Sequence, residues 1–127
     1  NAMITMVPCV VPNYEETVYQ SLYSYGRIVR DKDDKIQKIV ELKDCDDEQK
    51  KILEVNTGTY MFNASWLWGK VEKIGHNNAQ DEFYLTDIVE LAIKDGQTIY
   101  SIPITAEEAY GINTPEHLEF ARKLNIK

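Results

Sequence analysis

Residues Glu54 to Phe62 alternate cleanly. Val55, Thr57, Thr59 and Met61 fall on one face, and Glu54, Asn56, Gly58, Tyr60 and Phe62 on the other. A period of two predicts a β-strand. Ile4 to Val11 is a β-branched run that predicts a second strand, with Pro8 near an edge or a bend. Tyr25 to Arg30 and Ile36 to Lys43 are apolar-rich runs parted by Asp31-Lys32-Asp33-Asp34-Lys35, which reads as a β-hairpin. Thr98 to Ile104 predicts a further strand. Helical spacing appears elsewhere. Tyr14, Val18 and Leu22 recur every fourth residue behind the Asn13/Glu16 capping pair, predicting a short helix from Tyr14 to about Tyr23. Asp46 to Glu54 reads as a polar helical turn with Ile52 and Leu53 inward. Asn63 is expected to cap a helix running to about Ile74, with Trp66, Leu67, Val71 and Ile74 as its apolar stripe. Thr86 or Asp87 is expected to cap the next, which turns Ile88, Leu91, Ala92 and Ile93 inward and stops at Gly96. Thr114 and Pro115 open the last, which is expected to bury Leu118, Ala121 and Leu124. The order of elements is that of an α/β layer structure with a mixed sheet flanked by helices.

Composition narrows the chemistry. A chain of 127 residues forms one domain, expected over residues 3–127, with Asn1-Ala2 read as the remnant of a cleaved tag. Hydrophobic residues at 43% are ordinary for a globular fold. Fourteen basic and 21 acidic residues leave a net charge of −7, which argues against a nucleic acid or an anionic membrane as the main partner. No run of 18 apolar residues and no basic, apolar leader appear, and the two cysteines, Cys9 and Cys45, form no CxxC pair. A cytoplasmic protein with two free thiols is the expectation. His76 and His117 stand alone, without partners at zinc-ligand spacing. The six glycines are Gly26, Gly58, Gly69, Gly75, Gly96 and Gly111, and no two lie within three residues. A GxG turn, a P-loop and a dinucleotide fingerprint are all excluded.

Five segments, in order, resemble one family. They are Tyr25-Gly26-Arg27-Ile28-Val29-Arg30, Ile39-Val40-Glu41-Leu42-Lys43-Asp44, Glu54-Val55-Asn56-Thr57-Gly58, Asn77-Asn78-Ala79-Gln80-Asp81-Glu82-Phe83-Tyr84-Leu85-Thr86-Asp87 and Tyr110-Gly111-Ile112-Asn113-Thr114-Pro115. Together they resemble the bacterial N-acetylglucosamine-1-phosphate uridyltransferases, among the sugar-phosphate nucleotidyltransferases, over about residues 25–122. The resemblance implies a partial nucleotide-diphospho-sugar transferase fold. The sugar-binding half is present, and the early strands with their glycine-rich phosphate loop are not. It implies that Gly26 lends a backbone N–H to the sugar, that Glu41 accepts from sugar hydroxyls, and that Asn56 reads the sugar by donating and accepting. Tyr84 and Thr86 would border the acetamido group, and Asn113 would offer a neutral oxygen to magnesium, the implied cofactor.

Read from the residues alone, other roles stand beside these. Glu41 sits at a strand end, Asn56 before Thr57-Gly58 suits a turn or bulge, and Asn113 suits the cap region of the last helix. The segment from Tyr14 to Ser24 departs from the family pattern; it is expected either to cover a sheet edge left open by the missing strands or to block the sugar pocket. Two functions remain open. One is part of a uridyltransferase that handles UTP and N-acetylglucosamine 1-phosphate only with its missing N-terminal half, supplied by a complementing second chain or lost by truncation. The other is a non-catalytic remnant that binds a sugar phosphate or UDP-N-acetylglucosamine weakly. A homodimer is expected, because an open sheet edge is a template for association.

Overall fold

The computed structural model describes residues 2–123. Five strands form one mixed sheet: β1 (Ile4–Val10), β2 (Arg27–Arg30), β3 (Ile36–Val40), β4 (Glu54–Phe62) and β5 (Ile99–Ser101), in the order β3-β2-β4-β1-β5. β1 runs parallel to β5; the other pairings are antiparallel. The expected α/β architecture is therefore present. No helix among the described residues is long and apolar enough to cross a membrane.

Alternation gives the sheet two faces and two cores. On one face Ile4, Met6, Ile28, Ile36 and Ile39 pack under Ile88, Val89 and Ala92 of α3 (Asp87–Lys94). On the other, Cys9, Val11 and Val55 pack with Leu22, Ala106 and Ala109. That second core covers only one end of its face. Further along, Met61, Tyr100 and Ile102 remain 70%, 56% and 58% exposed. The accessible surface of 8181 Å² exceeds the roughly 7,000 Å² expected of a compact chain of this mass.

The hairpin of β2 and β3 forms as the charged turn predicts, closed by Asp31, whose carboxylate accepts from the N–H groups of Asp33 and Lys35. The β1–β4 pairing is irregular between Met6 and Pro8, so Pro8 does mark a bend, although in an interior strand. Several helices are shorter than their patterns suggest. The first is α1 (Thr17–Gln20) followed by a 3-10 turn to Ser24. The predicted Asn63–Ile74 helix is α2 (Ala64–Trp68), and Gly69 separates it from a 3-10 turn at Val71–Lys73. Asn63 caps α2 as expected, its side chain accepting from Trp66 N–H at 3.0 Å. Leu53 is 38% exposed rather than inward, and Val89, outside the predicted stripe of α3, is fully buried. In α4 (Pro115–Ala121), capped by Thr114, Leu118 is 40% exposed; Leu124 lies outside the described residues.

The tyrosine-rich segment packs into the second core, and its last residue, Ser24, lines a pocket with Glu41 and Tyr84. It wraps Arg27, which is fully buried on the second face. The guanidinium lies 5.0 Å from the Tyr14 ring and 4.9 Å from the Tyr23 ring, and those two rings meet edge-on. It donates to the carbonyls of Tyr23 and Tyr25, while its Nε finds no partner. A buried cation held by rings and carbonyls depends on the planar fork of arginine. Arg27→Lys is expected to lower unfolding stability by about 2 kcal/mol, read as a lower denaturant midpoint at unchanged slope.

Candidate functional site

The register of the sheet brings three polar-site positions into one row. Arg27 pairs with Val40 of β3 and with Val55 of β4. One step along, Gly26 therefore lies between Glu41 and Asn56, and alternation turns all three to the face opposite Arg27. The row is tied by the Asn56 N–H, which donates to the Gly26 carbonyl at 2.8 Å. A Cβ on Gly26 would stand 3.0 Å from Ile39 Cγ2 and 3.1 Å from Glu41 Oε1, so the space over Gly26 is already bounded by these two side chains and an added one would displace them. Neighbouring strands are about 4.8 Å apart, which puts the carboxylate and amide strands about 10 Å apart across the gap.

Thr86 joins the row from α3. It sits at the N-cap but makes no side-chain cap bond; its hydroxyl donates to Glu41 Oε1 at 3.3 Å. Thr86 is thus withdrawn from helix capping and placed on the site. Tyr84 lies with Glu41 in the wall of a pocket of about 190 Å³, with Ser24, Leu42, Lys43 and Gln80. Its hydroxyl is enclosed, with the Asp44 carboxylate beside it. Five of the six expected site residues are therefore gathered at one end of one sheet face.

Asn113 is not joined to them. Its backbone N–H donates to His117 Nδ1, and its side-chain nitrogen lies near Gly111, whose open side is occupied by the Tyr25 hydroxyl. That hydroxyl donates to the Ala109 carbonyl, and Tyr25 packs into the second core. No group of three or more His, Cys, Asp or Glu residues that could hold a metal occurs among the described residues. One neutral amide oxygen does not by itself satisfy a cation that wants six hard ligands. The residues present do not make a magnesium site of their own.

Sequence reasoning placed Tyr60 on the face of Asn56 but assigned it no role. In the structure its hydroxyl donates to Asn56 Oδ1 at 2.8 Å, and the Gly58 N–H donates to the same oxygen at 3.1 Å. Gly58 adopts φ +76°, a conformation that favours glycine, so the bulge reading of Asn56 holds for its oxygen. Both cysteines are buried, and burial with nearby Glu107 and Glu108 pushes the Cys9 thiol up to about 11. Neither is a poised nucleophile.

The row and its polar collar define a class of protein, an α/β domain with a cluster of polar side chains where a hairpin meets the rest of a mixed sheet. Comparison with known proteins supplies the relatives. Bifunctional protein GlmU of Clostridium kluyveri is 41% identical over 108 residues, covering 85% of this chain and 24% of that protein. The GlmU proteins of Clostridium novyi and Lactococcus lactis are 36% and 40% identical, covering 87% and 89% of this chain and 25% and 23% of theirs. No protein-family model matches the chain. The chain is a homologue of a segment of the GlmU proteins, as its ordered motifs indicate, and it spans about a quarter of the length of these curated relatives.

Burial, reinforced by Asp44 and Asp87 and opposed by the Thr86 hydroxyl, raises the Glu41 carboxyl above its usual 4.5. An acid with a raised folded-state value favours folding only while protonated. Its relative contribution is complete below 4.5 and is lost as pH rises through the folded value. Glu41→Gln, which keeps the shape without the charge, is therefore expected to gain stability over the unmodified chain as pH climbs from 4.5 towards neutrality. Denaturant titrations of both at several pH values measure the difference; a pH-independent gap would remove the argument.

Proposed function

We propose that this chain supplies the sugar-recognising half of a uridyltransferase that joins UTP to N-acetylglucosamine 1-phosphate, and that it does not complete the reaction alone. The observation that carries the reading is the Glu41–Gly26–Asn56 row. A carboxylate that accepts and an amide that donates flank a position with no side chain, which suits a small, hydroxyl-rich ligand. Kinship with a segment of GlmU supports the choice of N-acetylglucosamine as that ligand.

In such a transfer an oxygen of the sugar phosphate attacks the α-phosphorus of UTP. The new P–O bond forms as the bond to pyrophosphate breaks, and pyrophosphate leaves with the displaced electron pair. Positioning and charge neutralisation supply nearly all of the catalysis. The row performs the first task for the sugar. The second needs a cradle of N–H groups and cations around the triphosphate, and no closely spaced glycines are present to build it. A single lost donor of that kind costs about 3 kcal/mol of transition-state stabilisation. Magnesium would neutralise phosphate charge in the complete enzyme; Asn113 is the residue here that the family pattern assigns to it, and no step above depends on it. The residues that would grip the nucleotide are not among these 127.

UDP-N-acetylglucosamine is expected to raise the melting temperature of the unmodified chain by a few degrees. Glu41→Ala, which removes the acceptor, and Gly26→Ala, which displaces it, are both expected to abolish the shift. An equal shift in all three overturns the placement of the site. Mixed with UTP, N-acetylglucosamine 1-phosphate and magnesium, the chain is expected to release no pyrophosphate above background; steady turnover would overturn its incompleteness.

A further inference from the structure

The orientation of the Asn56 side chain is fixed by chemistry. A main-chain N–H only donates, so the side-chain atom facing the Gly58 nitrogen at 3.1 Å must be the carbonyl oxygen. The Tyr60 hydroxyl, 2.8 Å from the same atom, must then donate as well. Two donors occupy the two lone pairs of Oδ1. The amide NH₂ makes no hydrogen bond among the described residues and is the polar group that the Asn56 side chain has left to offer.

Tyr60 reaches this position through the irregularity in β4. Two steps along β1, from Met6 to Pro8, oppose four along β4, from Asn56 to Tyr60. The surplus residues bow out, and the chain returns with Tyr60 on the same face as Asn56. Phe62 stacks on the Tyr60 ring at 5.4 Å and 28°, which holds the hydroxyl on target. Burial and the charge of Glu41 push the phenol well above its usual value. The hydroxyl keeps its proton, and its role as donor, throughout the ordinary pH range.

We propose that Tyr60 is a positioning residue that makes Asn56 a pure hydrogen-bond donor, so that the Asn56 end of the site selects an acceptor oxygen on the ligand while the Glu41 end selects hydroxyl donors. The proposal rests on the sugar-binding reading and goes beyond it by giving the site a polarity. A ligand with a hydroxyl at the Glu41 end and a carbonyl or ether oxygen at the Asn56 end satisfies both. A ligand turned end for end faces donor with donor and acceptor with acceptor.

The test compares the unmodified chain with Tyr60→Phe and Asn56→Asp, by calorimetric titration with UDP-N-acetylglucosamine and by ¹⁵N spectra of the Asn56 side-chain NH₂. Tyr60→Phe is expected to keep the fold, to shift the Asn56 NH₂ pair because only the Gly58 N–H is left to hold Oδ1, and to weaken binding about tenfold, the worth of about one hydrogen bond. Asn56→Asp still accepts from Tyr60 and Gly58 but has no donor, and is expected to lose binding at least as far. Binding by Tyr60→Phe equal to the unmodified chain, with the NH₂ signals unmoved, overturns the role of Tyr60. So does unchanged binding by Asn56→Asp. A complete lack of binding by the unmodified chain overturns the sugar reading instead, and the NH₂ spectra still report separately whether Tyr60 fixes the amide.

Discussion

The sheet is stitched together along a short seam, and the candidate site lies on it. The β2–β3 hairpin meets the β4-β1-β5 half through a single registered backbone pair, Arg27 with Val55, the hydrogen bond from Asn56 to Gly26, and the fork of Arg30, which donates to both carboxylate oxygens of Glu54 at 2.7 Å. Everything polar that matters is packed around this seam. On one face Arg27 gathers Tyr14 and Tyr23; on the other Glu41, Asn56, Tyr60 and Thr86 converge. A seam so short cannot be held by ladder bonds alone. It is clamped by the bidentate Arg30–Glu54 pair and by α3, packed on the hairpin. Side chains placed at such a seam are positioned by both halves of the sheet at once, which would suit a site that holds a ligand in one pose.

How far the sequence reveals this depends on the residue. The hairpin is legible because a run of charges cannot be a buried strand and Asp31 can close a turn. Strand β4 is legible because its surplus of two residues preserves parity; a surplus of one would have turned Tyr60 and Phe62 to the other face. The joint placement of Asn56 and Tyr60 was therefore readable, but their hydrogen bond was not, since it depends on how the bow folds back. The Asn63–Ile74 helix failed for a local reason. Its apolar spacing continues past Gly69, yet glycine there allows the chain to leave α2 and re-form as a 3-10 turn. Thr86 misled in a useful way. It has the residue type of a cap, but its hydroxyl is engaged by Glu41, a contact 45 positions away that no local pattern encodes.

The acidic character of the chain also acts at the site. Glu41 is raised by Asp44 and Asp87 as well as by burial, and Asp87 in turn is raised by burial, by Glu90 and by Asp44. Like charges at partly desolvated positions repel each other and any incoming anion. On the proposed reading a sugar phosphate would be oriented by them, its hydroxyl end towards the Glu41 carboxylate and its phosphate away from that end of the row. The same charges that weaken the fold at neutral pH would then bias which way a charged ligand lies, which a neutral acceptor at position 41 would not do. The hydrogen-bond polarity set by Asn56 and the electrostatic polarity set by Glu41 point in the same direction along the row. Each alone would bias the ligand; together they leave one orientation that satisfies both.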